Sequence, residues 1–486
     1  MEKFIISIKY KTDADYIYAS IFRLGGTILN YKLRDYIALR GWFGAPFNYI
    51  NYNNGLIYSL NKSEFEILKK CDGQIDISET SDLKKLLEEN IIEPCYEKNN
   101  INDWQKYKFY ANNCFTTAYW SITDRCNYNC KHCFMSPDES KLSTEFTWDE
   151  CKQFIESCDK CGIYNIIITG GEPFLHPHFF DIIHECNKKN IKIKEILTNA
   201  SLIDLTVIQK LSQLKTDSLI KISFDGLGYH DWMRGVPGAE QKTLNTIKLL
   251  KNNGFRVCVQ MCIHKENIST IYPTVELLDS IGVDKIRILR TCESPRWDKY
   301  KNLMLSVQEY FDLALNFIDN YINKSHTMSV EFFKFVFVSP KHKTYKCMPI
   351  KNSGTQYDKI PACSEMRFCI NVSGSGDIVP CSRLTGYYKK YGINFGNVKK
   401  DDMQQILLDS EYFNCASKTV NNILESNDTC KKCKFISKCY TGCRAAALVF
   451  SNNINGPDLS DCIYFNNNYY YKTREIMSKY NYTEYL

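Results

Sequence analysis

Groups of cysteine constrain this chain more than any other feature of its sequence. The chain has 23 cysteines in 486 residues, and eleven of them form three groups with spacings that suit iron–sulfur clusters. The first group, in DRCNYNCKHCF, offers only the thiolates of Cys126, Cys130 and Cys133. A four-iron cluster needs four ligands, so three would leave one iron open to bind another molecule. The loop therefore predicts a cluster that takes part in chemistry and does more than transfer electrons.

A structural zinc site is the alternative interpretation of this loop. Such a site would need a fourth cysteine or histidine ligand. His132 lies inside the loop, but as the neighbour of Cys133 it is poorly placed to complete a tetrahedron. Because a chain with so many cysteines can produce a CxxxCxxC spacing by chance, the surrounding sequence has to decide between the two interpretations.

The later cysteines form a pattern that chance rarely produces. CKKCKFISKCYTGC has the spacing CxxCxxxxxCxxxC, and further cysteines lie on both sides of it. Gly374 and Gly376 suggest a hairpin that folds two upstream thiols towards a third. These positions divide into two sets of four ligands, drawn from Cys363, Cys369, Cys381, Cys430, Cys433, Cys439, Cys443 and Cys462.

Length and composition indicate a globular enzyme with several domains. With 486 residues, 44% of them hydrophobic, the chain can bury two or three cores. The net charge of +6 is small and basic residues are interspersed with acidic ones, which argues against a nucleic-acid or bilayer surface. MEKFIISIKYK lacks the features of a signal peptide, and no apolar run is long enough to span a membrane. We expect a cytoplasmic protein with reduced, oxygen-sensitive metal thiols.

Residues 1–97 predict a small winged-helix-like module, although residues 1–40 fit no recognisable pattern. FNYINYNNGLIYSLNKSEFEILKKCDG predicts two strands around an Asn/Gly turn, then a helix that begins at Asn61 with Glu64 as its capping-box partner. DLKKLLEEN predicts a second helix and IIEPCYE a closing strand. Residues 98–116 are polar with little periodicity and are expected to form a linker.

Residues 117–325 alternate short apolar runs with amphipathic segments six times. Six such repeats predict an α/β domain with a parallel sheet, either a partial barrel or a doubly wound sheet. In both folds the loops after the strands carry the site, and the three-cysteine loop directly follows the first strand. Over residues 346–486 the periodicity fades while Gly and Cys increase, which predicts a Cys-rich iron–sulfur domain whose core is held by metal.

Four short motifs follow the predicted strands of this domain. TGGEP at residues 169–173 follows the second strand, TNAS the third and SFDG the fourth, with HDWMRG shortly after. With the three-cysteine loop, these motifs make residues 117–465 resemble a radical S-adenosylmethionine (SAM) enzyme with a C-terminal SPASM domain. The resemblance implies a partial (β/α)6 TIM-like barrel in which Cys126, Cys130 and Cys133 hold a 4Fe-4S cluster. It also implies that the open iron binds SAM, whose reductive cleavage releases a 5′-deoxyadenosyl radical.

The same resemblance implies which residues contact SAM. They are Gly170, Gly171, Glu172, Pro173, Asn199, Ser223, Asp225 and Arg234. Glycines let the backbone approach the amino group of SAM closely, and the guanidinium fork of Arg234 suits its carboxylate. Taken singly, each polar residue would be read as a helix cap or a surface ion pair. No catalytic acid or base is assigned.

In the fully ligated SPASM arrangement, each of two auxiliary 4Fe-4S clusters has four cysteine ligands, so the chain would hold three clusters in all. The implied ligands are Cys363, Cys369, Cys381 and Cys443 for the first auxiliary cluster, and Cys430, Cys433, Cys439 and Cys462 for the second. Both would then be saturated, and would relay electrons or brace the fold. Cys369 is the variable ligand, because some members omit it and leave an iron open for a substrate thiolate.

The first module resembles the PqqD-like leader-recognition domain of enzymes that modify ribosomally made peptides. This likeness implies that the leader of a precursor peptide docks as an added strand beside the hairpin. A structural cap on the barrel is the alternative role for the module. The electron donor is expected to be a flavodoxin or a ferredoxin.

The sequence therefore predicts a radical SAM peptide maturase that forms a thioether or carbon–carbon crosslink. One alternative is a sulfatase-activating dehydrogenase that forms formylglycine, but Ser382 follows Cys381 at the position where those enzymes resemble one another in having an Asp base. A noncatalytic iron–sulfur electron carrier or peptide-binding protein is a further alternative. Cys158 and Cys161 form an additional CxxC, but they lie on a predicted helix and are expected to pack in the core.

Overall fold

The computed structural model describes residues 30–78, 80–95, 100–133, 144–294, 296–351, 354–408 and 410–485. Residues 1–29 of the predicted 1–97 module therefore lie outside the described residues. The chain divides into two compact units, Met1–Tyr110 and Ala111–Leu486.

The described part of the first unit consists of two small sheets and two helices. In chain order the elements are β1 (Asn30–Leu33), β2 (Ile37–Trp42), β3 (Ala45–Asn51), β4 (Leu56–Ser59), α1 (Lys62–Lys70), β5 (Asp72–Asp76), α2 (Ser81–Glu88), β6 (Ile92–Cys95) and β7 (Lys108–Tyr110). One sheet has the strand order β5-β1-β6 and the other has the order β4-β3-β2-β7. The hairpin β3–β4 and both helices are present where the sequence predicts them.

Local sequence explains why these elements form. Asn61 Oδ1 accepts the Glu64 backbone N–H at 2.8 Å, and Glu64 Oε2 accepts the Asn61 backbone N–H at 3.0 Å, which is the predicted capping box. Gly55 has a φ of 69° in the hairpin turn, a conformation that glycine adopts without strain. Phe65 on α1 is buried in the core of this unit.

Strand β4 lies at the end of its sheet in the described part of the chain. Leu60 donates its N–H to Phe47 O at 2.9 Å, and pairs in an antiparallel ladder alternate between bonded and non-bonded ones. In the register of this hairpin, Ile57 and Ser59 fall at the non-bonded positions. Their backbone donors and acceptors therefore point away from β3, towards the side where a further strand would add.

The linker expected over residues 98–116 is wrong for the described part of that stretch. Asp103–Gln105 forms a 3₁₀ turn, and β7 pairs in parallel with β2. The Gln105 side-chain amide donates to Arg34 O at 2.9 Å and to Ile37 O at 3.1 Å. Buried backbone carbonyls need such partners, so this polar stretch is held in the first unit without any apolar periodicity.

The second unit begins with alternating strands and helices. They are β8 (Thr117–Thr123), α3 (Trp148–Cys161), β9 (Asn165–Gly170), α4 (Phe179–Lys188), β10 (Lys192–Thr198), α5 (Leu205–Gln213), β11 (Leu219–Ser223), α6 (His230–Arg234), α7 (Ala239–Asn252), β12 (Val257–Ile263), α8 (Ile271–Ile281), β13 (Lys285–Arg290) and α9 (Val307–Ile322).

Shorter elements follow in the rest of the chain. They are β14 (Ser329–Phe332), β15 (Val336–Ser339), β16 (Thr344–Cys347), α10 (Ser364–Phe368), β17 (Cys369–Val372), β18 (Ile378–Val379), α11 (Thr385–Lys390), α12 (Met403–Leu408), α13 (Ser410–Ala416), α14 (Val420–Glu425), α15 (Asp428–Lys431), α16 (Ile436–Cys439), α17 (Arg444–Ser451), α18 (Leu459–Asn466), α19 (Tyr469–Lys479) and β19 (Thr483–Glu484).

One long sheet runs through the second unit, in the order β18-β17-β8-β9-β10-β11-β12-β13-β14-β15-β16-β19. Strands β8 to β14 are parallel to one another. Consecutive strands are neighbours throughout this part, whereas a doubly wound sheet reverses its order at a switch point. The order therefore favours the barrel-like winding. The carboxyl ends of these strands meet at one edge, and the predicted motifs follow β8, β9, β10 and β11 there.

The main core lies between this sheet and its helices. Trp120 on β8 is fully buried, and its ring centroid lies 4.6 Å from that of Phe154 on α3. Cys158 and Cys161 are buried in the same core. A buried thiol behaves as a small apolar side chain, so the additional CxxC serves packing.

The Cys-rich region joins the long sheet of the second unit. β17 pairs in parallel with β8, with Cys369 opposite Thr117. Residues 346–486 were expected to rely on metal for their core, but Val420 and Leu424 are also buried in an apolar cluster of their own. The expectation underestimated apolar packing, because short helices bury few residues each and leave little periodicity to read. None of the described helices is long and apolar enough to cross a membrane.

Candidate functional site

The three thiols of the first cysteine group lie in the loop directly after β8. Cys126 is exposed, while Cys130 and Cys133 are half-buried. Although the residue as a whole is exposed, its sulfur is partly shielded from water; this desolvation raises the pKa of the Cys126 thiol to about 11, and the neighbouring Cys130 and Cys133 thiols add to the rise. The three side chains therefore lie close enough to interact electrostatically.

The spread of the thiols argues against zinc in this loop. In the described part of the chain, His132, Asp225 and Cys262 are the only three candidate ligand atoms that all lie within 4.8 Å of one another. Thiolates bound to a single zinc ion would lie roughly 3.8 Å apart. The loop thiols are spread more widely than that, which suits a cluster of several irons.

The group formed by His132, Asp225 and Cys262 is itself poorly suited to a cation. Arg234 Nε lies 2.8 Å from Asp225 Oδ2, so a guanidinium already neutralises this carboxylate. The half-buried His132 lies near Trp297, with ring centroids 6.3 Å apart. Desolvation lowers the pKa of His132 to about 4, so the ring is neutral.

Gly170 and Gly171 allow the cysteine loop to lie against the end of β9. Gly171 donates its N–H to Thr123 O at 2.8 Å, and the next residue donates to Arg125 O at 2.8 Å. A Cβ on Gly170 would lie 2.2 Å from Thr123 O, and one on Gly171 would lie 2.1 Å from Arg125 O. Gly170 also has a φ of 144°. The two glycines therefore set the position of the segment that leads to Cys126.

The carboxylate of Glu172 faces the protein interior. It is fully buried, and it accepts the Thr198 hydroxyl at 2.7 Å and the Asn199 backbone N–H at 2.8 Å. Desolvation raises the pKa of Glu172 to about 7 against the opposing effect of these hydrogen bonds. Pro173 begins a short 3₁₀ turn after it. The Glu172 side chain thus connects β9 to β10, which leaves the backbone of TGGEP for the predicted contact with SAM.

Asn199 connects the end of β10 to the cysteine loop. Its Nδ2 donates to Asn127 Oδ1 at 2.8 Å, and its Oδ1 accepts the Ser201 hydroxyl at 2.6 Å. Asn127 in turn donates to Ser201 Oγ at 2.8 Å. The three polar side chains form a closed ring of hydrogen bonds that includes a residue adjacent to Cys126.

Asp225 and Arg234 form a buried ion pair behind the loop. In addition to its contact with Asp225, Arg234 donates from Nη1 to Cys130 Sγ at 3.5 Å. The Cys262 backbone N–H donates to Asp225 Oδ1 at 3.0 Å. Although burial raises it, the guanidinium of Arg234 holds the pKa of Asp225 below its ordinary value. Ser223 is the last residue of β11 and is half-buried. It precedes Asp225 by two positions in the sequence.

Thiols assigned to the first auxiliary cluster also lie near one another. Burial raises the pKa of Cys381 to about 11, and the Cys443 and Cys363 thiols add to the rise. The thiol of Cys369 donates to Glu365 Oε2 at 3.4 Å, and Cys363 also raises its pKa. Cys369 therefore lies beside the set but is paired with a carboxylate, and its role as a ligand stays a prediction.

All four thiols assigned to the second auxiliary cluster line a single cavity. Its lining consists of Cys430, Cys433, Phe435, Ile436, Cys439, Thr441, Asp458, Cys462, Phe465 and Asn466. The four thiols are again spread more widely than the ligands of one zinc ion. A cavity with four thiols in its walls fits a cluster of several irons.

Two charged residues that no motif indicated support this region. Asp458 pairs with Lys334 Nζ at 3.0 Å and accepts the Cys443 backbone N–H at 3.0 Å. It also caps the N-terminus of α18. Only this capping position is visible in the sequence, because Lys334 lies more than a hundred residues earlier in the chain.

Comparisons with known families agree with the motifs. Residues 120–278 match the family model of the radical SAM superfamily, and residues 363–434 match that of the SPASM iron–sulfur cluster-binding domain. The first match contains the three-cysteine loop together with all four motifs after the strands. The second begins at Cys363 and contains Cys430 and Cys433.

Proteins similar to this chain have different named functions. The AdoMet-dependent heme synthase of Methanosarcina barkeri is 26% identical over 334 residues, which is 68% of this chain and 90% of that protein. The antilisterial bacteriocin subtilosin biosynthesis protein AlbA of Bacillus subtilis is 31% identical over 170 residues, 34% of this chain and 37% of that protein. SuiB of Streptococcus suis, bound to precursor peptide SuiA, has a similar fold with a TM-score of 0.64 and 17% identity, covering 89% of this chain and 99% of that chain.

Substitution of Gly171 by Ala should displace the cysteine loop, because the added Cβ would lie 2.1 Å from Arg125 O. We expect iron in anaerobically reconstituted protein to fall from about twelve to about eight atoms per chain, since only the first of three four-iron clusters is affected. Gly386→Ala is the matched control, because a Cβ there meets nothing within 4 Å. An unchanged iron content in Gly171→Ala would show that the close approach does not hold the loop.

The buried carboxyl of Glu172 should make stability depend on pH. Its pKa is raised from 4.5 to about 7, so between these values the folded chain holds a proton that the unfolded chain has lost. The contribution of protonated Glu172 to the free energy of unfolding is complete below the pKa of the unfolded chain. It is lost as pH rises through 7, and the free energy of unfolding then falls by an amount on the order of 3 kcal/mol. In urea unfolding of the metal-free chain, the free energy of unfolding of Glu172→Gln should not show this decrease with pH. The exposed Glu276→Gln is the control, and an equal pH dependence in all three proteins would contradict the burial argument.

Proposed function

The chain contains a radical SAM domain and a SPASM iron–sulfur domain, and on this premise we propose that it is a maturase of a ribosomally synthesised precursor peptide. The observation that carries the peptide part is the extent of the likeness to SuiB, which covers 89% of this chain. That share is larger than the second unit, residues 111–486, so the likeness in fold reaches into the first unit. A fold shared over both units is what a leader-guided enzyme would need.

The donor sets fit the clusters that this function requires. Cys126, Cys130 and Cys133 would hold the catalytic 4Fe-4S cluster and leave one iron for SAM. When bound and reduced by an external donor, the cluster would supply one electron to the sulfonium of SAM, and the resulting methionine and 5′-deoxyadenosyl radical would provide the group that takes a hydrogen atom from the peptide. The two auxiliary sets would hold a 4Fe-4S cluster each, with Cys369 as the fourth ligand of the first.

The chain's own residues would position SAM. The backbone of Gly170 to Pro173 would face its amino group, since the Glu172 side chain points inwards. Asn199 and Ser223 would contact the cofactor from the ends of β10 and β11. Arg234 uses Nε for Asp225 and Nη1 for Cys130, which leaves Nη2 for the SAM carboxylate.

The leader would bind to the first unit at the outer edge of β4. The backbone groups of Ile57 and Ser59 point away from β3, as strand addition requires. The radical formed on the peptide would close into a thioether or a carbon–carbon bond, with an auxiliary cluster accepting the surplus electron. A flavodoxin or ferredoxin in the cytoplasm would supply the electron that starts each turnover.

A second candidate function is a step in heme synthesis, favoured by the match to the heme synthase of Methanosarcina barkeri over 90% of that protein. The same match covers only 68% of this chain. Nearly a third of the chain therefore has no counterpart there, and this third is large enough to include the first unit. The peptide proposal accounts for that unit and the heme proposal does not.

Anaerobic reconstitution with SAM and a strong reductant tests the enzyme directly. Wild-type protein should hold about twelve irons per chain and produce 5′-deoxyadenosine. The variant Cys126→Ala/Cys130→Ala/Cys133→Ala should produce none while keeping about eight irons, because the auxiliary sets are intact. Cys95→Ala, outside all three sets, should behave as wild type. Cleavage of SAM by the triple variant would refute the assignment of the loop.

Mass spectrometry of the short peptide encoded next to this chain tests the substrate. Each crosslink should remove two hydrogen atoms, whereas an unchanged mass with altered stereochemistry would indicate epimerisation. A heme precursor incubated in parallel should remain unmodified. Conversion of that precursor, with the peptide untouched, would favour the second candidate function.

Substitution of Ile57 by Pro should weaken leader binding, because it removes a backbone N–H that points to the outer edge of β4. We expect the Kd for the leader of the same encoded peptide, measured by fluorescence anisotropy, to rise at least tenfold, by about 1.4 kcal/mol. Ile57→Thr keeps the N–H and the β-branched shape and should change the Kd less than threefold. Equal binding by both variants would mean that the leader does not add as a strand at this edge.

A further inference from the structure

The segment between Cys439 and Arg444 joins the two auxiliary sets of cysteines. Cys439 is assigned to the second set and Cys443 to the first, and only three residues separate them. Those residues have the φ values 48° for Tyr440, 68° for Thr441 and 72° for Gly442, so the whole connection is left-handed. This conformation is unfavourable for a β-branched residue such as Thr441. Its side chain is held in that position for a reason that lies outside the local backbone.

Thr441 is buried at the wall of the second set's cavity. Thr441 is 1% exposed and forms part of the cavity lining with the four thiols. Its Oγ1 finds no hydrogen-bond partner among the described residues. A buried hydroxyl without a partner costs about 1–3 kcal/mol, so the natural acceptor is a group that would occupy the cavity. A sulfide or a cysteine sulfur of a bound cluster is such an acceptor.

Arg444 directly follows Cys443 of the first set, and its guanidinium bonds to the carbonyl of Thr441, a residue that lines the cavity of the second set. It is buried, and it donates to the carbonyls of Thr441, Ile454 and Gly456. No carboxylate forms a salt bridge with it in the described part of the chain, and its Nε–H has no acceptor there. A buried cation held by neutral carbonyls keeps most of its charge available to neighbouring groups.

Thiols of both sets lie within electrostatic reach of this cation. Burial lowers the pKa of Arg444, and Cys443 of the first set and Cys430 and Cys439 of the second oppose the lowering, as does Asp458. Asp458 is already paired with Lys334. The anions left to balance Arg444 are therefore the cysteine thiolates, which would be cluster ligands.

We propose that Arg444 and Thr441 set the reduction potentials of the auxiliary clusters, an inference that rests on the proposed function because it assumes those clusters. Reduction adds one negative charge to a cluster. A buried cation and a hydrogen-bond donor to sulfur both stabilise the reduced form, and so raise the potential. Arg444 lies by both sets and acts on both clusters, whereas Thr441 lines one cavity and acts on the second alone. Both are positioning residues.

The test measures the midpoint potentials by redox titration monitored with electron paramagnetic resonance. The full chain carries Cys126→Ala/Cys130→Ala/Cys133→Ala, so that only the auxiliary clusters report. Arg444→Gln should lower both midpoint potentials by at least about 59 mV. For a one-electron couple this shift corresponds to a tenfold rise in the oxidised-to-reduced ratio at a fixed ambient potential. Arg444→Lys keeps the charge and should stay within about threefold of the parent protein.

Thr441→Val keeps the β-branched shape and removes only the hydroxyl. It should lower the midpoint potential of only one of the two couples. The oxidised-to-reduced ratio of that couple at a fixed ambient potential should rise about threefold, as the loss of one hydrogen bond predicts. The exposed Arg256→Gln removes a positive charge far along the chain from both sets and should shift neither couple. A shift of both couples in Thr441→Val would overturn its assignment to the second cavity.

Three outcomes would overturn the inference while leaving the proposed function intact. One is an unmoved midpoint in Arg444→Gln with full iron, and another is an equal shift in Arg444→Lys, which would mean that the fork geometry matters and the charge does not. The third is loss of iron in Arg444→Gln, which would make Arg444 a structural brace. Iron well below about eight atoms per chain in the parent protein would instead contradict the auxiliary clusters of the proposed function.

Discussion

The buried ion pair between Asp225 and Arg234 holds together the parts of the site that different strands contribute. Asp225 follows β11 and accepts a backbone N–H from Cys262 on β12, while Arg234 ends α6 and reaches Cys130 in the cysteine loop. One carboxylate therefore connects two strands, a helix and a predicted iron ligand. Removing either partner would leave a buried charge uncompensated, which costs about 3–5 kcal/mol. The loop needs this support because its described residues, 124–133, form neither helix nor strand.

Glu172 and Asp225 are two buried carboxyl groups of the site, and they differ in charge for a clear physical reason. Glu172 accepts hydrogen bonds only from neutral donors, and desolvation raises its pKa to about 7. Asp225 is as deeply buried, but the guanidinium of Arg234 lowers its pKa. Near neutral pH, Glu172 is thus partly protonated and Asp225 is charged but paired. The surroundings of the loop add little net negative charge, which suits a loop whose thiolates bring three negative charges of their own.

The sequence predicted the parts of the site that depend on spacing along the chain. Cysteine spacing identified the three-thiol loop, and the strand periodicity placed the motifs at one edge of a parallel sheet. It also suggested that Glu172 contacts SAM, but the direction of that side chain depends on Thr198 and Asn199, which come from another strand. The 98–116 stretch failed for a similar reason, because Gln105 is held by carbonyls of residues about seventy positions away. Polar contacts between distant residues leave no periodic signal in a sequence.

The left-handed turn from Tyr440 to Gly442 connects the two sets of thiols that are assigned to the auxiliary clusters. Each non-glycine residue in this conformation costs about 1–2 kcal/mol. Tyr440 recovers part of this through its buried ring and its hydroxyl, which donates to Gly354 O at 2.7 Å. The Thr441 hydroxyl has no such bond among the described residues, so in the proposed cluster-bound protein its strain would be offset by the ligands on either side of it. Cys439 and Cys443 flank the turn and are assigned to different clusters, so metal binding at both ends would fix the distance that the turn spans. On the proposed assignment, the apolar cluster around Val420 and Leu424 would support the helices, whereas the connection between the two sets would rely on its metal ligands.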